Sequence, residues 1–454
     1  MEAIENKAGF VSSRNACKLC MPLGACLAFK GVEGCVPLLH GSQGCSTYIR
    51  RYMISHFKEP VDVASTNFGE MTAIFGGKLN FQLAVENITK QYQPQMIGIA
   101  STCLSETIGD DVRMFIHEYL KENAEKELPA LVEVKTPSFQ GTHMEGFHKT
   151  ILALIEQLAA PKTTPSDELV LLPGMVSPAD IRYWKEILED FGISHTVLPD
   201  YSDTLDGGAW DTYVKIPEGG TPLAKIKNSS NAKCVVELGM VLSSFTSAGQ
   251  YLEKTHSVKR HNIGMPIGIA ATDRFIDILE EEYNTLLPEK HKKERGRLID
   301  SYIDGHKYVF GKKAVLYGEE DLVAGMAEFL LEIGIEPVLC ASGGESGKLK
   351  GIINKNRKDS EPEVPVFVGV DFEDIADKIK DLKPDIIIGS SKGYYISREI
   401  GIPLIRIGFP IHDRIGGQRI LHVGYRGAQQ LFDQITNALI GYKQDHSSVG
   451  YKYM

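Results

Sequence analysis

The stretch "KKAVLYGEEDLVAGMAEFLLEIGIEPVLCAS", residues 312–342, constrains the fold more than any other. An apolar run ends at Tyr317. Leu322, Met326, Phe329, Leu330 and Ile333 then recur at helical spacing, and a second apolar run follows at once. Strand, helix and strand in so short a space make a βαβ unit. Its two strands run parallel, and a parallel sheet needs helices over both faces.

The same grammar recurs upstream. "LVLLPG" reads as a buried strand; Ser177 then caps a helix with Pro178 at its first position, and Ile181, Trp184, Ile187 and Leu188 form the buried face before Gly192. Phe81, Ala84, Val85, Ile88 and Tyr92 mark another helix, with Asn80 as its expected N-cap and Pro94 as its stop. "QMIGIAST" reads as a strand ending at Cys103, and "PQMIGIAST" is echoed by "PDIIIGSSK" from Pro384. Each sets small hydroxyl residues at the carboxyl end of a strand, where doubly wound sheets gather ligands. We place boundaries near residues 165 and 310, giving units 1–165, 166–310 and 311–454. "DSEPEVP" and "SGGESGKLKG" read as exposed loops.

A chain of 454 residues is too long for one core, and 43% hydrophobic with 24% charged residues is the balance of a soluble globular protein. The net charge of -10 argues against a general nucleic-acid binder. No apolar run is long enough for a bilayer, and the first twenty residues lack the pattern of a signal peptide, so the cytoplasm is the expected location. Six of the eight cysteines lie at or before Cys103. In that compartment they read as thiols or metal ligands, and any sulfur chemistry belongs to the first third of the chain.

"CKLC" at Cys17 and Cys20 has no second pair to complete a zinc ribbon. The wider set is Cys20 before a Pro-x-Gly turn, Cys45 in the His-Gly-Ser-Gln-Gly loop, Cys103 at a strand end, and Ser138 after the strand-like "ALVEVK". Three thiolates on loops at one sheet edge, with a hydroxyl as a harder fourth ligand, suit an iron–sulfur cluster. The bland alternative is that free cysteines fill space as small hydrophobes, which is the reading kept for Cys17, Cys26 and Cys35. Arg50, Arg51, His56 and Lys58 could face an anionic cluster, substrate or partner protein, although a solvated helix face is the preferred reading. "SGGESGKL" lacks the first glycine and the Ser/Thr of a phosphate loop, so no bound nucleotide is expected. His412, Asp413 and Arg414 suit a cleft, an interface or a salt-bridged core.

Taken together, "HGSQGC", "TCLSETIGDD", "TPSFQGTH" and "GFPIHDR" resemble, in that order, the nitrogenase component 1 superfamily on its β-subunit side. The matching stretches run from Cys20 to Ala428. The resemblance implies three Rossmann-like, doubly wound parallel-sheet α/β domains, and a heterotetramer of two such chains with two copies of a homologous α-like partner.

Two branches compete. "LPDYSDTLDGGAW", "DGHKYVFGKK", "DRIGGQRILHVGYRG" and "STYIRRYMISHF" look more like the scaffold type (NifN, paired with a NifE-like partner), on which the iron–molybdenum cofactor matures. That resemblance implies a [4Fe–4S] cluster on Cys45 at the subunit interface. It also implies a cofactor precursor held mainly by the partner and transient contact with the nitrogenase iron protein and with cofactor donors and acceptors. The alternative is the catalytic molybdenum–iron β subunit with its [8Fe–7S] P-cluster. Its three cysteines and serine are all matched here, by Cys20, Cys45, Cys103 and Ser138.

Overall fold

The computed structural model describes residues 17–242, 246–355, 357 and 362–448. Thirteen short strands among them form three parallel sheets. The first holds β1 (Cys35–His40), β2 (Ala64–Ser65), β3 (Met96–Ser101) and β4 (Ala130–Val134) in the order β2-β1-β3-β4. The second holds β5 (Leu169–Leu172), β6 (His195–Val197), β7 (Cys234–Leu238) and β8 (Lys259–Ile263) in the order β6-β5-β7-β8. The third holds β9 (Lys313–Tyr317), β10 (Glu336–Ala341), β11 (Val366–Phe367), β12 (Ile386–Gly389) and β13 (Leu404–Arg406) in the order β11-β10-β9-β12-β13. The expected βαβ unit is β9, the helix Glu320–Glu332 and β10.

β3, β5 and β12 are buried at every position, as continuous apolar runs covered by helices on both faces require. Ser177 caps the helix Pro178–Asp190 as its sequence dictates, and its hydroxyl accepts the N–H of Asp180 at 3.0 Å. Gln93 in the left-handed conformation ends the helix Lys78–Tyr92, one residue before Pro94.

Four expectations need correction. The helix Lys78–Tyr92 is capped by Gly77, so Asn80 lies inside it and spends its amide on the carbonyl oxygens of Thr66 and Asn67 instead. β3 ends at Ser101, and Cys103 opens the next helix, Cys103–Ile108. Part of "SGGESGKLKG" is packed: Ser342 and Gly343 are buried, and a Cβ on Gly343 would meet the Cys17 carbonyl carbon at 2.8 Å. His56 is buried, so only part of the basic run forms a solvated face. Of "DSEPEVP", residues 359–361 lie outside the described residues.

One hydrophobic core runs through all three sheets. The helix Met21–Lys30 is buried along its whole length and packs on the helix His143–Leu158. Two glycines allow the contact. A Cβ on Gly24 would stand 1.7 Å from the His143 carbonyl oxygen, and one on Gly146 would stand 1.9 Å from that of Met21. Backbone meets backbone here, which fixes where each helix begins. Among the described residues no helix is long and apolar enough to cross a membrane.

Candidate functional site

The residues singled out by sequence lie at helix starts around the first sheet. Cys20 is the N-cap of Met21–Lys30, Cys45 lies in the first turn of Gln43–Phe57, and Cys103 opens Cys103–Ile108. Ser138 opens the single turn Ser138–Gln140 that follows β4. Three of the four therefore follow the carboxyl ends of β1, β3 and β4, which are neighbours in the sheet.

Hydroxyl side chains stitch these ends together. Thr102 donates through Oγ1 to the His40 carbonyl at 2.9 Å, joining the end of β1 to that of β3. Thr136 donates through Oγ1 to the Ser101 carbonyl at 2.7 Å and through its N–H to Ser101 Oγ at 2.9 Å, joining the ends of β3 and β4. The edge is thus a rigid scaffold rather than a set of independent loops.

Onto it the chemistry-bearing atoms converge. The Ser138 N–H donates to Cys103 Sγ at 3.2 Å, and Ser138 Oγ accepts the N–H of Met21, next to Cys20, at 3.1 Å. Ser42 Oγ donates to Cys45 Sγ at 3.7 Å. Burial raises the Cys20 thiol above its ordinary pKa, a hydrogen bond with Ser138 opposes this, and the Cys103 and Cys45 sulfurs raise it further. Cys20 thus stands within the field of the other two sulfurs. Cys20, Cys45 and Cys103 are exposed, whereas Cys26, Cys35, Cys234 and Cys340 are buried and Cys17 is half-buried. An exposed thiol is the exception for a residue that ordinarily packs as a hydrophobe.

Two contributors were invisible to sequence reasoning. Tyr48, one turn beyond Cys45, reaches Cys20 and packs against Tyr52 in a tilted pair with ring centroids 4.7 Å apart; burial is the main cause holding its phenol protonated. His143 locks the segment ahead of Cys20. Its Nδ1 accepts the Leu19 N–H at 3.3 Å, which leaves Nε2 to donate to Glu319 at 3.0 Å. Neither contact has a local sequence signal, because each joins residues distant in the chain.

The basic run divides. Arg50, Arg51 and Lys58 are exposed, while His56 Nδ1 accepts the Ile411 N–H at 2.9 Å and serves the packing of the third sheet's last loop. Asp413 is held by Arg406 at 2.6 Å, and His412 and Arg414 are exposed beside it.

Among the described residues, no three His, Cys, Asp or Glu side chains close around a single metal ion. The donor set is three soft sulfurs and one hydroxyl on an open face. That suits the outer shell of a multi-iron cluster better than a mononuclear ion. Exposed apolar side chains lie nearby: Leu104 and Phe139 adjoin Cys103 and Ser138, and Met71, Ile74 and Phe75 lie on the short helix Glu70–Phe75, packed beside Cys103–Ile108. Phe75 is 76% exposed. Apolar surface of this kind marks a partner-binding face.

Known proteins resemble this chain along nearly its whole length. The family model "Nitrogenase component 1 type Oxidoreductase" matches residues 20–440. The chain is 36% identical to the nitrogenase molybdenum-iron protein beta chain of Clostridium pasteurianum, over 97% of this chain and 95% of that one. It is 33% identical to the nitrogenase vanadium-iron protein beta chain of Trichormus variabilis, over 94% of each. The solved structure of nitrogenase Cp1 at pH 6.5 superposes with a TM-score of 0.93 at 34% identity, covering 100% of this chain and 98% of that chain.

Proposed function

We propose, for a chain that belongs to the nitrogenase component 1 family, that it is the β-type subunit of a catalytic nitrogenase. The relatives cited bear the names of catalytic β chains, which supports this reading over the cofactor-maturation scaffold that parts of the sequence suggest. The juxtaposition of Cys20, Cys45, Cys103 and Ser138 at one sheet edge carries it.

In this reading the three thiolates and Ser138 provide this chain's half of the shell of an iron–sulfur cluster, and an α-like partner in an α2β2 assembly provides the rest. When bound, such a cluster supplies one-electron carriage toward a substrate site. The chain's residues set the conditions for it. Gly41 packs against Thr102, where a Cβ would stand 2.4 Å from Oγ1, and Ser42 and Gly44 are small neighbours of Cys45. Ser138 ties the Cys103 loop to the Cys20 cap through its N–H and its hydroxyl. Tyr48 and the exposed apolar side chains near the site exclude water once the partner is seated. The three sheets fit a division into units 1–165, 166–310 and 311–454, with the cluster on the first.

Iron and acid-labile sulfide per assembly, with EPR of the dithionite-reduced protein, test the proposal. The P-cluster reading expects about eight irons at each interface and a diamagnetic reduced state, as an [8Fe–7S] group requires. A cluster of about four irons that survives replacement of Cys20 and Cys103 by alanine would return the chain to the scaffold branch.

A further inference from the structure

A groove of about 320 Å³ lies at the far end of the Cys45 helix, between the segment Pro60–Asp62 and the loop that carries Trp210, Tyr213 and Lys215. Lys30, the last residue of the buried helix Met21–Lys30, lines it. Lys30 is only 5% exposed, and its ammonium makes no hydrogen bond or ion pair with any described residue. Its backbone carbonyl is taken by Thr204 Oγ1 at 2.7 Å, which anchors the main chain and leaves the side chain directed by packing.

A buried cation without a partner is costly, and natural folds relieve it by pairing. The one carboxylate of the groove, Asp62, acts on Lys30 through its charge but forms no hydrogen bond or ion pair with it. It lies 3.6 Å from Arg50 and accepts the hydroxyls of Tyr92 at 3.1 Å and Tyr213 at 3.3 Å. The other two cations are held in place. Arg50 Nε donates to the Val61 carbonyl at 3.0 Å, and Lys215 Nζ donates to the Gln91 carbonyl at 2.7 Å. Three cations thus share the groove with one carboxylate, on a chain whose net charge is -10. Trp210 and Tyr213, with ring centroids 6.2 Å apart, wall one side.

We propose that this groove binds a small oxyanion, a carboxylate or a phosphate, with Lys30 as the buried charge that fixes it and Arg50 and Lys215 as the cations that draw it in. Burial lowers the Lys30 amine from its ordinary pKa, and a bound anion would favour its charged form.

Equilibrium dialysis of the purified assembly against labelled citrate and labelled inorganic phosphate tests the site. Saturable binding of citrate alone assigns a carboxylate, and of phosphate alone a phosphate; binding of both assigns an unselective oxyanion site. In each case Lys30→Met should weaken binding at least about tenfold, as expected for loss of a charge-assisted contact. Arg50→Gln, at the exposed rim, should weaken it several-fold. Lys30→Met should also raise the melting temperature of the anion-free protein while removing any further rise on adding anion, a pair of opposite effects that a purely structural lysine does not give. No saturable binding of either anion, or undiminished binding in either variant, overturns the proposal.

Discussion

Ser138 and Cys103 are 35 residues apart in the chain, yet the N–H of one donates to the sulfur of the other at 3.2 Å. The same serine accepts the Met21 N–H through its hydroxyl at 3.1 Å, so one residue spans two of the three cysteine-bearing segments. Ser138→Ala keeps the first bond and deletes the second, leaving a partly buried N–H unpaired. The expected cost is about 1–2 kcal/mol, read as a lower melting temperature, together with reduced iron content. Ser138→Cys, which restores an acceptor at this position, should recover most of the iron. Equal iron in wild type and Ser138→Ala would remove Ser138 from the site.

The placement of Cys20 depends on a contact four residues away. Gly24 lies so close to His143 that an alanine methyl would stand 1.7 Å from its carbonyl oxygen, and backbone cannot yield as a side chain can. Gly24→Ala should therefore cost about 1–3 kcal/mol or more through overpacking. It should also separate the Cys20 cap from Ser138. Gly296→Ala, inside the helix Glu289–Val309 and away from the site, is the matched control, since its Cβ meets nothing within 4 Å. If both variants retain iron and melt together with wild type, the helix contact does not position the thiols.

Acid should weaken the fold through His56. Burial first, then the positive charges of His412, Lys58 and His422, lower its pKa from 6.5 to about 3. The folded chain binds fewer protons here than the unfolded chain, so stability falls as the pH drops below about 6.5 and goes on falling to about 3. Between pH 6.5 and 5 the loss amounts to about 2 kcal/mol. His148, pushed down to about 4 by burial, adds to it with the same sign. His56→Gln keeps an acceptor in reach of the Ile411 N–H but does not titrate. Its melting temperature should vary less with pH than that of wild type over this range, and an unchanged slope would exclude His56 as a source.

These particulars show what could be read before folding. The strands ending at Leu172, Tyr317 and Gly389 and the Ser177 cap were legible because apolar runs, proline position and capping act over a few residues. Asn80 misled because it carries the chemistry of a cap, while its amide is claimed by Thr66 and Asn67 across a turn. Cys20, Cys45, Cys103 and Ser138 could be picked out singly as small-residue loops near sheet ends. Their meeting rests on Thr102, Thr136 and the Gly24–Gly146 crossing, which are tertiary facts. His56 was read as part of a basic face because its partner, Ile411, lies 355 residues away. Lys30 carries no sequence signal of its burial for the same reason, since what buries it comes from elsewhere in the chain.

The strongest dependence expected outside the site is on Asp180, which joins the second sheet's helix to the start of the last helix, Gly424–Asp445. One carboxylate oxygen accepts the N–H groups of His422 at 2.6 Å and Val423 at 3.2 Å. The other accepts the Ser177 N–H at 3.0 Å and pairs with His422 Nδ1 at 2.8 Å. Burial opposes the charged form, but the His422 pair and these N–H groups outweigh it and hold the Asp180 pKa below its ordinary value. Asp180→Asn places an amide where four donors expect acceptors, so at least one buried N–H loses its partner. The expected cost is about 3–5 kcal/mol, the range for breaking a buried pair from one side. Because the folded pKa is depressed, this stabilisation is fully present above about pH 4, the ordinary aspartate range, and is lost as the pH falls through the folded value. Wild type and Asp180→Asn should thus differ most at neutral pH and converge in strong acid. A gap that stays constant from pH 7 into strong acid would mean that the asparagine acts through packing and not through the charge.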